Sequence, residues 1–281
     1  MSLLIRLRRT LPLNKGKGIK GIGLITHPVA MEFYLAYNQY MQVQRLHNWD
    51  LTTEQAMALQ RQLAGRVSRV NHMSHPGLIA GVDMSADRVK GTATAAVVVL
   101  SYPEMKLVET QVAKGSLDFP YVPGLLSFRE LPLTLTACER LTNTPDLVIV
   151  DGQGVAHPRR MGLASHLGLF LNTPTIGCAK SLLVGTYDKP GEEQGSWTPI
   201  LDKGETIGAA LRTRTGVAPV FVSIGHMVDL PSAIRWVLAC CQGYRLPEPS
   251  RLAHLASIGN LTATLQMNTF RQRSLVDANA K

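Results

Sequence analysis

The chain has 281 residues, 45% of them apolar, which suffices for one large domain or two small ones with a sizeable core. No apolar run approaches the roughly 20 residues that cross a bilayer as a helix, so an integral helical membrane protein is excluded. The net charge of +9 argues only weakly for a polyanionic partner: residues 1–50 contribute +5, residues 242–281 contribute +3, and residues 51–241 hold seventeen basic against sixteen acidic side chains.

Residues 1–48 read as a basic extension. Arg6, Arg8, Arg9, Lys15, Lys17 and Lys20 meet no acid before Glu32, and four glycines between Gly16 and Gly23 break any long helix. A phosphate-touching arm, a targeting peptide and a dispensable leader all fit this pattern. From Thr52 to about Val70, Leu51, Ala56, Leu59, Leu63 and Val67 recur at helical spacing. Leu78–Met84, Thr92–Ser101 and Leu107–Ala113 then read as strands of an antiparallel meander, the last two joined through Tyr102-Pro103-Glu104. Helices at Leu131–Leu141, Arg160–Leu171 and Ser232–Cys241 alternate with buried strands at Asp146–Val150, Thr173–Cys178 and Val220–Ile224. The pattern predicts an α/β fold with a mixed sheet flanked by helices. Residues 186–206 read as a polar surface excursion, and a short helical pattern runs to about Ala256 before a tail. The expected domain spans residues 49–258, with 259–281 as the tail. Cys138, Cys178, Cys240 and Cys241 lack metal-site spacing and are expected as buried thiols in a reducing, cytoplasmic compartment.

Three acids stand out. Asp83 ends the apolar run Leu78–Val82, and Asp151 ends Leu147–Val150. Burying either carboxylate costs several kcal/mol unless it meets a cation or donors, although an Asp before Gly also caps turns through its own loop amides. Glu130 precedes Leu131-Pro132, which suggests a helix N-terminus where the dipole favours its ionised form. Its plain alternative is an exposed first-turn acid. Hard carboxylate oxygens suit Mg²⁺ or Mn²⁺, and no Cys/His grouping favours zinc. Lys180 at a strand end is placed to neutralise a phosphate, or is simply solvated. His226 and His157 suit a water- or phosphate-positioning role as well as a structural one. Arg129, Arg159 and Arg160 supply bidentate phosphate donors. Tyr121 sits in a loop stiffened by Pro120 and Pro123, and with Val122 at its tip such a loop can wedge between stacked bases or pack as a corner.

Taken together, Gly81-Val82-Asp83, the run Pro120–Glu130, Val150-Asp151-Gly152-Gln153-Gly154, His157–Gly162, Ile176–Lys180, Gly225-His226 and Gly243–Pro249 resemble the endonuclease V, or deoxyinosine 3′ endonuclease, family. The resemblance covers about Leu51 to Leu255. It implies a ribonuclease H-like fold and Mg²⁺-dependent nicking at the second phosphodiester 3′ to hypoxanthine, leaving 5′-phosphate and 3′-hydroxyl ends, with Mn²⁺ as a substitute ion. On this resemblance Asp83, Glu130 and Asp151 form the metal site, Glu130 directly or through water. Lys180 lies near the scissile phosphate, His226 near the metal, and Pro120, Tyr121, Val122 and Pro123 form the strand-separating wedge. Arg129, His157, Arg159 and Arg160 are the expected phosphate contacts. Hypoxanthine has a carbonyl where adenine has an amino group and a proton on N1, so close-approaching backbone at Gly124, Gly152 and Gly154, with Leu126 as an apolar wall, is the expected lesion pocket. Many family members carry His where this chain has Gln153. The expected partner is single- or double-stranded DNA containing deoxyinosine or other deaminated bases, bound by a monomer. Inosine-containing RNA, and a binder that does not cut, are the alternatives.

Overall fold

The protein is described from a computed structural model covering residues 40–87 and 91–262. The basic stretch before residue 40 and the tail beyond residue 262 lie outside the described residues. One eight-stranded sheet organises everything else. Its strands are β1 (Leu78–Asp87), β2 (Thr92–Ser101), β3 (Leu107–Ser116), β4 (Leu147–Val150), β5 (Thr175–Ala179), β6 (Trp197–Asp202), β7 (Glu205–Leu211) and β8 (Val220–His226). They lie in the order β3-β2-β1-β4-β5-β8-β7-β6. The antiparallel meander β3-β2-β1 joins the parallel trio β1-β4-β5, and β8, β7 and β6 continue antiparallel.

The helices are α1 (Thr53–Ala64), α2 (Leu126–Cys138), α3 (Leu163–Leu171), α4 (Leu230–Ala239) and α5 (Glu248–Ser257). A capping box between Thr52 and Gln55 starts α1, which stops at Gly65 instead of reaching Val70. Asp229 caps α4 by accepting from the Ser232 amide. The sheet is covered on both faces, which explains why β4, Leu-Val-Ile-Val, is buried throughout. Ala80, Val82, Val148 and Val150 pack with Leu131, Leu135, Leu167 and Phe170 of α2 and α3. Ile79, Leu147, Ile149 and Ile176 face the other way, with Val237 of α4. Helix α5 inserts Leu252, Ala253 and Ala256 against Ala96 and Val98 of β2. None of the helices among the described residues is long and apolar enough to cross a membrane.

Other expectations change as well. The excursion at 186–206 contains β6 and the start of β7, joined through Lys203 and Gly204 at φ of 55° and 80°. Two successive positive φ values make this the tight hairpin turn whose twist matches its strands. Residues 40–48, expected in the extension, belong to the same compact unit as the sheet. Met41 is buried in the main core, its amide donates to the Leu141 carbonyl, and the Gln44 amide donates to the Phe170 carbonyl. Past residue 258, Leu261 still packs beside Leu252. The thiols of Cys138, Cys178 and Cys240 are buried and Cys241 is half-buried, none in a disulfide.

The segment 40–49 also brings His47 to His166, with their Nε2 atoms 2.8 Å apart. His47 Nδ1 lies 2.7 Å from the Asn48 carbonyl, which only an N–H can satisfy, so His47 accepts at Nε2 from His166. His166 Nδ1 then accepts from the Ser127 hydroxyl at 3.1 Å. Both rings are neutral in this chain, and burial holds both pKa values below the ordinary histidine range. A lowered folded pKa means the unfolded chain takes up the proton first, so stability present above about pH 6.5 is lost as the pH falls below it. Because the raised carboxyl of Glu130 pulls the other way over the same range, the pair is read as a difference: between pH 7.5 and 5.5 the wild-type midpoint is expected to lose more than that of His166→Gln. Equal pH slopes in the two proteins would contradict the neutral pair.

Candidate active site

Strands β1 and β4 are parallel neighbours with Val82 opposite Val150, so the next residue on each is an aspartate. The Asp151 amide donates to the Val82 carbonyl at 3.1 Å, which fixes the chain as it leaves β4. Asp83 does not end its strand as expected: β1 continues to Asp87, and the carboxylate sits mid-strand on the face covered by α5. That helix can approach because residue 81 is Gly. A Cβ there would lie 1.9 Å from the Pro249 carbonyl oxygen. Seated this way, α5 presents His254 and Ser257, whose Nδ1 and hydroxyl donate to Asp83 Oδ2 at 2.9 and 3.1 Å.

Glu130 comes from α2, but as its fifth residue, because the helix starts at Leu126 and carries Pro132 in its interior. The helix-end dipole therefore does not set its charge. Its carboxyl is pushed up to about 8, first by burial and then by the Asp83 and Asp151 charges, with Arg129 opposing. Burial, then Asp83, likewise raises Asp151 against the opposing pull of Lys180. Lys180, just past β5, places Nζ 2.5 Å from Asp151 Oδ2. A carboxyl raised by two others, one of which is itself raised by burial and its neighbour, belongs to a donor set suited to a hard divalent cation. Among the described residues no three His, Cys, Asp or Glu side chains enclose an ion unaided. One or two carboxylates with water and substrate phosphate completing the shell is how Mg²⁺ is usually held, and the residues fit that open arrangement.

Beside Asp151 lies a cleft of about 350 Å³, lined among others by Tyr121, Gly124, Leu126, Gly152, Gln153 and Lys180. Tyr121 is 72% exposed at the tip of its loop. The loop's exit is a turn closed by the Leu125 amide on the Val122 carbonyl at 2.9 Å, with Pro123 and then Gly124 at φ 79°. A left-handed third position after proline is the type II turn, and it requires a glycine. Gly152 borders the cleft with Leu163 under it, whereas Gly154 does not line it. A Cβ on Gly154 would fall 2.0 Å from the Ile224 carbonyl oxygen, so its missing side chain serves packing. Gln153, 9% exposed, donates from Nε2 to the Ser181 carbonyl at 2.8 Å and so ties the Asp151 loop to the residue after Lys180.

The expected phosphate contacts all make hydrogen bonds within the protein. Arg160 is held by Glu205 and Asp202, each at 2.7 Å. Arg159 donates to Gln60 Oε1 and the Gly124 carbonyl, and His157 donates from Nε2 to the same carbonyl at 2.9 Å. His157 Nδ1 accepts from the Arg159 amide, consistent with a neutral ring whose pKa burial lowers to about 4. Arg129 donates to the Phe119 carbonyl. His226 is not near the carboxylates. It pairs with Thr175 at the start of β5, the opposite end from Lys180, and accepts from the Ser68 amide at Nδ1. His254 occupies the position beside the acids that sequence reasoning had given to His226. The one available signal was His254 and Ser257 three apart, flanking the apolar stripe Leu252, Ala253 and Ala256.

A mixed sheet of this order, with acids from two adjacent parallel strands and a covering helix meeting beside a cleft, defines a nuclease on a ribonuclease H-like fold. The endonuclease V family profile matches residues 61–255. Endonuclease V of Dehalococcoides mccartyi is 54% identical over 217 residues, covering 77% of this chain and 97% of its own. The chain belongs to the endonuclease V family. The crystal structure of endonuclease V from Streptomyces avermitilis is 43% identical with a TM-score of 0.71, covering 81% of this chain and 99% of that one. Endonuclease V from Ciona intestinalis, solved with a 24mer DNA containing an inosine followed by a ribo-adenosine, is 31% identical with a TM-score of 0.63, covering 74% and 96%.

Proposed function

We propose that the protein is a DNA repair endonuclease that nicks the strand at the second phosphodiester 3′ to deoxyinosine, by Mg²⁺-dependent hydrolysis leaving 5′-phosphate and 3′-hydroxyl ends. The observation that carries this reading is the shared cleft, in which Tyr121, the close-approach glycines Gly124 and Gly152, the apolar wall Leu126 and the Asp151–Lys180 pair are neighbours. A base turned into that cleft brings its own backbone toward the carboxylates, so recognition and cutting are coupled by geometry. The inosine-containing DNA bound by the Ciona intestinalis relative supports the same substrate class.

Asp83 and Asp151, with Glu130 directly or through water, would hold the Mg²⁺, and Mn²⁺ would serve in its place. When bound, such an ion activates water and stabilises the leaving oxygen of an in-line displacement. His254 and Ser257 orient the Asp83 carboxylate through Oδ2. Lys180 supplies a positive charge toward the scissile phosphate, and Tyr121 opens the stack beside the lesion.

The test is Mg²⁺-dependent cleavage of a labelled strand with one deoxyinosine beside its adenine control, with products read at single-nucleotide resolution. A nick one nucleotide beyond the lesion is expected. Binding without cleavage by well-folded protein in either metal would turn the reading to a non-cutting binder. A second reading, cleavage of inosine-containing RNA, is favoured by the ribo-adenosine in the relative's DNA. Matched DNA and RNA oligonucleotides in one assay separate the two.

A further inference from the structure

We propose that Gln60 is a positioning residue for the strand-opening loop, which it clamps through the Gly124 carbonyl together with His157 and Arg159. The inference deepens the reading above and rests on it. Gln60 projects from α1, is 1% exposed, and uses both ends of its amide. Its Nε2 lies 3.0 Å from the Gly124 carbonyl and 3.0 Å from that of Met161, while its Oε1 accepts from Arg159 Nε at 2.5 Å. His157 Nε2 at 2.9 Å and Arg159 Nη2 at 2.8 Å reach the same Gly124 oxygen. One carbonyl oxygen with two lone pairs thus receives three donors from two separate segments of the chain.

The loop's other end is held as well, since Arg129 donates to the Phe119 carbonyl. Between these anchors Pro120 and Pro123 restrict the backbone, Val122 packs against the Phe119 and Phe128 cluster, and the Tyr121 ring stands exposed. A side chain that separates stacked bases works against a few kcal/mol per step, so the loop behind it must not recoil. The prolines stiffen the loop internally but do not attach it to the domain. Gln60 does so at the turn itself. It also holds the Arg159 guanidinium in the orientation that reaches Gly124, so removing the amide loosens two of the three donors. Its position, one residue before the family-matched segment, leaves it outside the motifs from which the site was read.

The experiment compares wild type with Gln60→Met, which keeps the volume without hydrogen bonds, and Gln60→Glu. The latter retains an acceptor for Arg159 and sets a carboxylate oxygen against the two carbonyls. Two quantities are read: the initial-rate ratio between duplex and single-stranded inosine substrates, and the fluorescence of 2-aminopurine beside the lesion in a duplex bound without divalent cation. We expect the duplex-to-single-strand ratio to fall about tenfold in both variants, and the 2-aminopurine unstacking signal to weaken. Equal losses on both substrates with unchanged fluorescence, or no change in either readout, would overturn the clamp. Should Gln60→Met fail to fold, Gln60→Glu decides alone. The fluorescence needs no cutting, so an absence of nicking by wild type would count against the proposed function while the clamp is still tested.

Discussion

Replacing Asp151 with Asn is expected to lower inosine-directed nicking on the order of 10³-fold while leaving the melting temperature unchanged or slightly higher. The two halves of this outcome have separate causes. Asn matches the shape of Asp, and the segment it sits in is tightly held: the 151 amide is tied to Val82, and Gly154 and Gly177 pack backbone against backbone. The substituted side chain therefore stays where the carboxylate was but carries no charge. Losing a carboxylate that would hold the cation removes several kcal/mol of transition-state stabilisation, and about 4 kcal/mol corresponds to 10³ in rate. Folding, in contrast, gains little from that charge. Burial and Asp83 raise the pKa of Asp151, so the fold disfavours its ionised form. The ion pair surrendered is to Lys180, which is 43% exposed, and such pairs contribute little. Single-turnover rates in excess Mg²⁺ and a thermal scan of the same preparation check both halves. A variant cutting within tenfold of wild type would remove Asp151 from the metal site.

What the sequence made legible was whatever depends on local pattern. Asp83 and Asp151 were visible because a carboxylate interrupting an apolar run is expensive, and Tyr121 because two prolines frame it. The meander followed from alternation and its turn. Partnership across the chain was not legible. His226 ends a buried strand just as Asp151 does, and periodicity does not say which way a strand runs. Since β8 is antiparallel to β5, it finishes beside Thr175, at the opposite end of β5 from Lys180. His254 lies 171 residues from Asp83, and only the seating of α5 on β1 brings them together. Arginines invite a phosphate reading because their donors fit one, yet Arg159 turns Nε and Nη2 to Gln60 and Gly124, and Arg160 is held by Asp202 and Glu205. Composition hid the hairpin of β6 and β7, although Asp202-Lys203-Gly204-Glu205 carried its turn signal. Composition also assigned residues 40–48 to the extension, because Met41, His47 and Trp49 are too sparse to form a periodic pattern.

Gly81→Ala is expected to destabilise the protein by about 3 kcal/mol and to impair the site as well, although it adds one methyl to a strand. In isolation the change should help, since Ala loses less backbone entropy than Gly on folding. What opposes it is the neighbour. The new Cβ would lie 1.9 Å from the Pro249 oxygen, 2.1 Å from its carbonyl carbon and 2.7 Å from the Ser250 nitrogen. All three are backbone atoms of the first turn of α5, so no rotamer change relieves the contact and the helix must lift. The same helix carries His254 and Ser257, the donors that hold Asp83 two residues further along the same face of β1. Lifting it costs packing at Leu252 and Ala253 and releases the carboxylate. Gly115→Ala on β3 is the matched control: its Cβ would meet only Leu133 Cδ1 at 3.1 Å, the mobile end of a side chain, and less than about 1 kcal/mol is expected. At roughly 2–4 °C per kcal/mol for a domain of this size, the two variants should be separated by about 4–12 °C in melting temperature. Equal midpoints would mean that α5 is not seated on Gly81, and the placement of His254 beside Asp83 would fall with it.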